Sequence, residues 1–354
     1  MKDTATTCID DGALLLLTRR RLWRSVQAGL PTRSDKSLVL EREGILKRPN
    51  FFILGAPKCG TTSLASWLAE HPNIYMPSPK EPFFFDTDAK VVGRIAPHEY
   101  VNIYSQAQST HIAVGEASTT YLYSRKAVPN ILSYLGAVPR FIVCVRNPIE
   151  MAISLHRHLL FHGVETVKDF EAAWKTHGTR VIESISSSLG SHPSQIHYGP
   201  QCMLGEQIGR LFRSVPNRMV LVLVFEDLVR QPGIEYARVL NFLGVSDDHR
   251  QTFPIFNEGK EAKSISIARG MRFVTMVKQR FHIRKGLGIQ RFITARNAAP
   301  KRNLKLSVQT LLELCEYFRE DVKTLSQLLG RDFTDWIRPD KQQSPLTAVL
   351  NQDG

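Results

Sequence analysis

The fold is decided by the stretch Phe51-Phe52-Ile53-Leu54-Gly55-Ala56-Pro57-Lys58-Cys59-Gly60-Thr61-Thr62-Ser63. Its first four residues form a continuous apolar run, which is typical of a strand buried on both faces of a parallel sheet. Two glycines punctuate the turn that follows, and the pattern from Thr61 to Glu70 predicts a helix. The turn and the helix N-terminus expose backbone N–H groups and the positive end of a helix dipole. The stretch therefore predicts a seat for a phosphate group.

The spacing of this turn is close to the nucleoside-triphosphate loop GxxxxGK[ST], with one difference. Thr61 stands where that loop has its lysine, and the lysine of this turn is Lys58. A triphosphate loop needs its lysine after the second glycine to reach the β and γ phosphates. The sequence therefore predicts a phosphate seat that differs from an ordinary triphosphate site.

Two more continuous apolar runs, Phe141–Val145 and Met219–Phe225, are also typical of strands buried in a parallel sheet. Each is followed by a helix candidate, Ile149–Phe161 and Ile234–Phe242, and Gly244 is placed to end the second of these. A long amphipathic segment runs from Ser307 to Leu329, ends at Gly330 and is expected to pack back on the sheet. The alternation predicts an α/β chain with a P-loop-like, three-layer fold, in which helices flank a central parallel sheet.

The composition of the chain restricts the class of protein to which it can belong. The chain has 354 residues, of which 43% are hydrophobic and 22% are charged, so disordered and fibrous classes are excluded. We expect a polar N-terminal arm over residues 1–47, one domain over 48–338 and a polar tail over 339–354. The apolar run Ala13–Leu17 is far short of the roughly 20 residues that span a bilayer. It is followed by arginines and preceded by acids, so we expect neither a transmembrane span nor a signal peptide.

Five cysteines are spread along the chain without CxxC spacing, which indicates a reducing, cytoplasmic location with no disulfide framework or zinc site. The histidines at 156, 158 and 162 are the one cluster that suggests a metal. Offsets of two and six residues from His156 do not share one helix face, so we expect solvated or structurally bonded histidines there.

The net charge of +13 is concentrated in one segment. Residues 260–305 contain thirteen basic residues and one acid, a charge of +12, which leaves +1 for the other 308 residues. Such a basic helical segment fits an anionic partner: an acidic glycan or glycolipid, or the surface of an anionic membrane. The alternative is one or two amphipathic helices whose charged faces are merely solvated. Nucleic acid is not the partner we expect.

A second phosphate seat is predicted where the second strand ends, at Arg146-Asn147-Pro148, with Ser154 eight residues after the arginine. Ligands of open α/β sheets bind at the carboxyl ends of strands, and a guanidinium group suits a bidentate phosphate contact. Two separate seats suit a nucleotide with phosphates at both its 3′ and 5′ ends.

These features resemble the sulfotransferases that use 3′-phosphoadenosine 5′-phosphosulfate (PAPS). The similarity rests on the loop from Ile53 to Leu64 and on Phe141–Pro148 with Ser154. Further matches are Lys80-Glu81-Pro82-Phe83-Phe84-Phe85, Gly115-Glu116-Ala117-Ser118-Thr119-Thr120-Tyr121 and Phe225-Glu226-Asp227-Leu228. Lys80-Glu81-Pro82 is typical of the heparan-sulfate (Golgi-type) and bacterial branch.

The resemblance implies sulfuryl transfer from PAPS to a hydroxyl or amine of a carbohydrate or glycoconjugate, by in-line displacement and without a metal. Lys58 would neutralise the leaving phosphate, and Glu81 would be the base, with Glu116 in reserve. The residues implied for the nucleotide are Lys58, Cys59, Gly60, Thr61, Thr62 and Ser63 at the 5′ end, Arg146 and Ser154 at the 3′-phosphate, and Gly259, Lys260 and Lys263 beside it. Ala117 and Met151 depart from the family pattern, where lysine and arginine are common.

Two other functions stay open at this point. Glu226 and Asp227 follow an apolar run, as the magnesium-binding acids of a P-loop kinase do, which would imply Mg-ATP as the substrate. We favour a role in which these acids cap the following turn. The basic segment alone would also suit a non-enzymatic binder of acidic polymers.

Overall fold

A computed structural model of the chain describes residues 47–78, 80–89, 94–176, 196–256, 260–280, 289–300 and 304–341. Its centre is a five-stranded parallel sheet in the order β2-β3-β1-β4-β5, flanked by helices, as predicted. The strands are β1 (Phe51–Gly55), β2 (Ile74–Tyr75), β3 (Ala113–Ala117), β4 (Arg140–Val145) and β5 (Val220–Val224). All residues of β1 and β3 are buried, because helices cover the sheet.

The helices of the first half are α1 (Thr61–Ala69), α2 (Pro97–Asn102), α3 (Ala127–Leu135), α4 (Pro148–Phe161) and α5 (Phe170–Thr176). Those of the second half are α6 (Tyr198–Cys202), α7 (Leu204–Ser214), α8 (Phe225–Arg230), α9 (Pro232–Leu243), α10 (Ile265–Arg280), α11 (Ile289–Arg296) and α12 (Val308–Leu329). Two short strands, β6 (Lys260–Ala262) and β7 (Ala298–Pro300), pair antiparallel within the basic segment. Within the described ranges, no helix has both the length and the apolarity needed to cross a bilayer.

The predicted helix ends are confirmed. Gly244 and Gly330 follow α9 and α12 in the left-handed conformation, with φ of 69° and 62°. The third apolar run is shorter as a strand than its sequence suggests, because Met219 belongs to a 3-10 turn and Phe225 begins α8. Strand β3 was not predicted as a strand, since Gly115 and Glu116 interrupt its apolar pattern.

The register of the sheet brings three strand ends together. Ile53 of β1 lies opposite Ala117 of β3 on one side and Ile142 of β4 on the other. At the end of β1, a Cβ on Gly55 would lie 2.7 Å from the carbonyl oxygen of Thr119, and φ there is 140°. Glycine is therefore required where the chain after β3 crosses the end of β1.

The last helix packs against α7 and α4. The buried carboxylate of Asp321 accepts hydrogen bonds from the backbone N–H groups of Gly205 and Glu206, both at 2.8 Å. It thereby satisfies two donors at the start of α7. The predicted bounds of the domain, 48–338, stay a prediction.

Candidate active site

The loop between β1 and α1 is shaped by two residues in the left-handed conformation, Lys58 (φ 66°) and Gly60 (φ 85°). Gly60 precedes α1 and provides no side-chain cap, so N–H groups of the first helical turn have no acceptor within the helix. The thiol of Cys59 is buried near the carbonyl of Pro57 and the sulfur of Met151, and burial raises the pKa of this thiol well above its usual value. Only the backbone of Cys59 can therefore face an anion at this seat.

The side chain of Lys80 contacts this loop, and the sequence did not predict that contact. Its ammonium group donates to the hydroxyls of Thr62 (3.2 Å) and Thr61 (3.4 Å). The loop thus has a second cation beside Lys58, supplied from the chain between β2 and α2. The hydroxyl of Ser63, by contrast, is bonded to the backbone of Phe256, whose N–H donates to it at 3.0 Å.

Arg146 follows directly after β4 and connects the two predicted phosphate seats. One guanidinium N–H donates to the carbonyl of Lys58 at 3.1 Å, and another pairs with Glu150 at 3.0 Å. The guanidinium carbon lies 4.4 Å from the centre of the Phe225 ring. Its Nε is buried and has no hydrogen-bond partner among the described residues.

Helix α4 starts at this seat and carries Ser154. The amide oxygen of Asn147 accepts the N–H of Ile149 at 3.0 Å and so caps the helix, whose first residue is Pro148. Ser154 lies one turn beyond Glu150 on the same face. A 3′-phosphate at Arg146 would therefore share the guanidinium with the Glu150 carboxylate.

Glu81 lies at the carboxyl end of β3. Its N–H donates to the carbonyl of Ala117 at 3.0 Å, and its carboxylate accepts from Thr119 (3.2 Å) and Lys80 (3.3 Å). The carboxylate is part-buried, with a third of its side chain still exposed, so an acceptor can reach it. The geometry therefore suits the role predicted for Glu81.

Glu116 cannot serve as the reserve base. It is fully buried in a tyrosine cluster, where its carboxylate accepts from Tyr100 (2.5 Å) and Ser118 (3.1 Å). Burial raises its pKa to about 7. An acceptor cannot reach a side chain with no exposed surface, so this part of the prediction is wrong.

Two histidines at the C-terminal end of α4 are close enough to Lys58 to be affected by its charge, which nothing in the sequence pattern indicated. His158 and His162 are four residues apart, so they share a helix face, and their ring centres are 4.4 Å apart. Desolvation by the surrounding chain and repulsion from Lys58 lower the pKa of both rings. The neutral forms of both rings are therefore favoured, and both side chains keep exposed surface, as expected for solvated histidines. His156 behaves as predicted for a structural residue, with its Nε2 2.8 Å from the carbonyl of Val167.

Burial and the neighbouring guanidinium of Arg146 lower the pKa of Lys58. The ammonium group of Lys58 is part-buried next to another cation and forms no ion pair with the described residues around it, so binding of an anion there is favoured.

The structure describes only part of the three residues predicted beside the nucleotide. Gly259 lies outside the described residues, and only the backbone of Lys260 is described, in β6, which packs against α4. Lys263 is exposed, and its ammonium group donates to the carbonyl of Arg296 at 3.0 Å. Their contact with a nucleotide stays a prediction.

The two acids that suggested a kinase are both engaged. They lie in the first turn of α8, where Asp227 forms an ion pair with Arg331. Glu226 accepts the N–H of Asn147 at 3.2 Å and so connects α8 to the Arg146 turn, and its carboxylate also accepts a hydrogen bond from its own backbone N–H, as a capping residue does.

A protein-family model described as "Sulfotransferase domain" matches residues 48–288. Human heparan sulfate glucosamine 3-O-sulfotransferase 3A1 is 27% identical over 230 residues, covering 64% of this chain and 52% of that protein. Human bifunctional heparan sulfate N-deacetylase/N-sulfotransferase 2 is 21% identical over 321 residues, covering 84% of this chain and 32% of that protein. The chain thus spans about half or less of these relatives' length.

The fold is similar to a solved structure from the same class. The crystal structure of a sulfotransferase from Alicyclobacillus acidocaldarius superposes with a TM-score of 0.59 at 24% identity. The superposition covers 83% of this chain and all of that one.

Proposed function

The chain belongs to the sulfotransferase family, and we propose that it moves a sulfuryl group from PAPS to a hydroxyl or amine of a carbohydrate acceptor. The observation that carries the proposal is the hydrogen bond from Arg146 to the carbonyl of Lys58, which joins two anion seats at one edge of the sheet. A nucleotide with both 3′ and 5′ phosphates needs such a pair of seats.

The residues present fit this nucleotide. The loop offers backbone N–H groups, the Thr61 and Thr62 hydroxyls and two lysines to a 5′-phosphate. At the other seat, the buried Nε of Arg146 is a donor that still lacks an acceptor among the described residues. A buried donor left in this way is costly, and a phosphate oxygen would satisfy it.

PAPS would supply the sulfuryl group from its 5′-phosphate, and that phosphate would leave as part of adenosine 3′,5′-bisphosphate. Lys58 and Lys80 stabilise the negative charge that grows on the leaving phosphate. Glu81 accepts the proton of the attacking hydroxyl or amine, since its carboxylate lies beside Lys80 at the open side of the loop. The carboxylate is oriented by the hydroxyl of Thr119.

A carbohydrate acceptor is supported by the two human relatives, whose names specify heparan sulfate. The cytoplasmic location expected from the cysteine pattern stays a prediction.

Two measurements test the proposal. Adenosine 3′,5′-bisphosphate, without added metal, should raise the melting temperature, while Mg-ATP should not. The opposite result would favour the kinase. Transfer of labelled sulfate from PAPS to desulfated heparan sulfate should then be seen with the wild type and lost with Glu81→Ala. Transfer by that variant at the wild-type rate would remove Glu81 from the mechanism.

A further inference from the structure

The outer side of α10 carries apolar side chains that face solvent. The helix packs its inner side against the end of α4, where Ala268 is buried. The approach is close, because a Cβ on Gly163 would lie 2.7 Å from the backbone carbonyl carbon of Ala268. Opposite Ala268, the exposed residues follow each other at helical spacing. On α11, which packs beside α10, Phe292 is 65% exposed. We call this surface the α10–α11 face, defined by Ile267, Phe273, Val274, Val277 and Phe292.

This arrangement reverses the usual pattern of a surface helix, whose apolar stripe faces the core. Phe273 is 57% exposed although it lies in the middle of α10. Single exposed apolar residues are common, but several exposed apolar residues on two helices that pack together indicate a contact site.

The same segment carries most of the protein's charge. Residues 260–305 sum to +12, and Arg269 and Arg296 are exposed on α10 and α11 themselves. Any partner of this face must therefore bring negative charge as well as apolar surface.

These two requirements select the partner. A second copy of the chain would bring another +12 to the contact, so repulsion opposes dimerisation through this face. A soluble acidic polymer would match the charge but leave Phe273 and Phe292 in water. A bilayer with anionic lipids satisfies both requirements, because its interface takes up aromatic and aliphatic side chains while its headgroups attract arginine and lysine.

We propose that the α10–α11 face binds the surface of a membrane that contains anionic lipids. The protein then lies on the bilayer, with Phe273 and Phe292 inserted at the headgroup boundary and the arginines among the headgroups. This inference does not depend on the sulfuryl-transfer proposal, since it rests on a different surface.

The test is co-sedimentation of the full chain with vesicles of phosphatidylcholine alone and of phosphatidylcholine with phosphatidylserine. We expect the wild type to bind the phosphatidylserine vesicles and not the neutral ones. Phe273→Ser with Phe292→Ser should weaken binding about tenfold or more, and Arg269→Glu should weaken it about tenfold. The matched controls, Ile234→Ser on α9 and Arg213→Glu on α7, replace exposed residues elsewhere and should leave binding unchanged.

Three results would overturn the proposal. The first is a wild type that does not bind phosphatidylserine vesicles. In the second, Arg269→Glu weakens binding to vesicles and to soluble heparin alike while the phenylalanine variant changes neither, which would identify a site for acidic polymers. In the third, sedimentation velocity shows a dimer that the phenylalanine variant converts to a monomer. Unchanged melting temperatures of the variants check that they fold, and failure to bind adenosine 3′,5′-bisphosphate would count against the proposed function only.

Discussion

Arg146→Lys tests whether the guanidinium group at the end of β4 recognises a 3′-phosphate. Lysine keeps the positive charge but cannot donate to the Lys58 carbonyl, pair with Glu150 and offer Nε at the same time. The variant therefore separates the charge from the geometry of the guanidinium group.

The structure sets the expected magnitudes. Loss of the hydrogen bond to the Lys58 carbonyl costs about 1 kcal/mol, and loss of the contact with the Phe225 ring costs about 1 kcal/mol more. A total of about 2 kcal/mol lowers the melting temperature by about 3 °C in a domain of this size. A charge-assisted hydrogen bond to phosphate contributes about 1.5–3 kcal/mol, so the affinity for adenosine 3′,5′-bisphosphate should fall at least tenfold.

Isothermal titration calorimetry with two nucleotides measures this effect. Affinity for adenosine 3′,5′-bisphosphate should fall, while affinity for adenosine 5′-phosphate should stay within about twofold, because that nucleotide has no group at the Arg146 seat. The matched control is Arg250→Lys, since Arg250 pairs with Glu70 at 2.7 Å and lies 5.7 Å from the Phe253 ring, at the far end of α1. It should lose similar stability and no nucleotide affinity. An equal loss for both nucleotides would refute the reasoning, because Arg146 would then act only by supporting the loop.

Four other variants give sharp outcomes. Glu81→Gln should lower kcat at least about a hundredfold and leave bisphosphate affinity unchanged, and a normal kcat in a labelled-sulfate assay would exclude it as the base. Lys80→Met should weaken bisphosphate binding about tenfold at low salt and less at high salt; a loss independent of salt would contradict an electrostatic role. Because burial raises the pKa of Glu116 from 4.5 to about 7, the folded chain holds a proton there that the unfolded chain has lost, so the contribution of Glu116 to stability falls as pH rises between those values. Glu116→Gln should reduce the difference in unfolding free energy between pH 5 and pH 8 by about 2.5 kcal/mol, as urea unfolding would show, and an unchanged difference would contradict the raised pKa. Gly55→Ala should prevent stable folding, while Gly136→Ala, whose left-handed site has no atom within 4 Å of the new Cβ, should cost only about 1 kcal/mol; similar melting temperatures for the two would refute the clash with Thr119.

Much of the fold could be predicted because its signals are local. An apolar run before a glycine turn identifies a buried strand, and Gly244 and Gly330 end helices where the sequence places them. Strand β3 was missed because Glu116 interrupts its pattern. That carboxyl group is accommodated in the core by the nearby hydroxyl of Ser118 and by the hydroxyl of Tyr100, which comes from a distant part of the chain.

For the candidate site, the sequence by itself determined the chemistry that the loop and the Arg146 turn can carry, since motif spacing specifies a strand, a turn and a helix N-terminus. Only the tertiary structure decided which side chains meet there. It joins Arg146 to Lys58 across 88 positions, brings Lys80 to the Thr62 hydroxyl, and removes Glu116 from the reacting side. The physical reason is that the order of strands in the sheet and the packing of α4 set these distances, and neither is encoded in any short stretch of sequence.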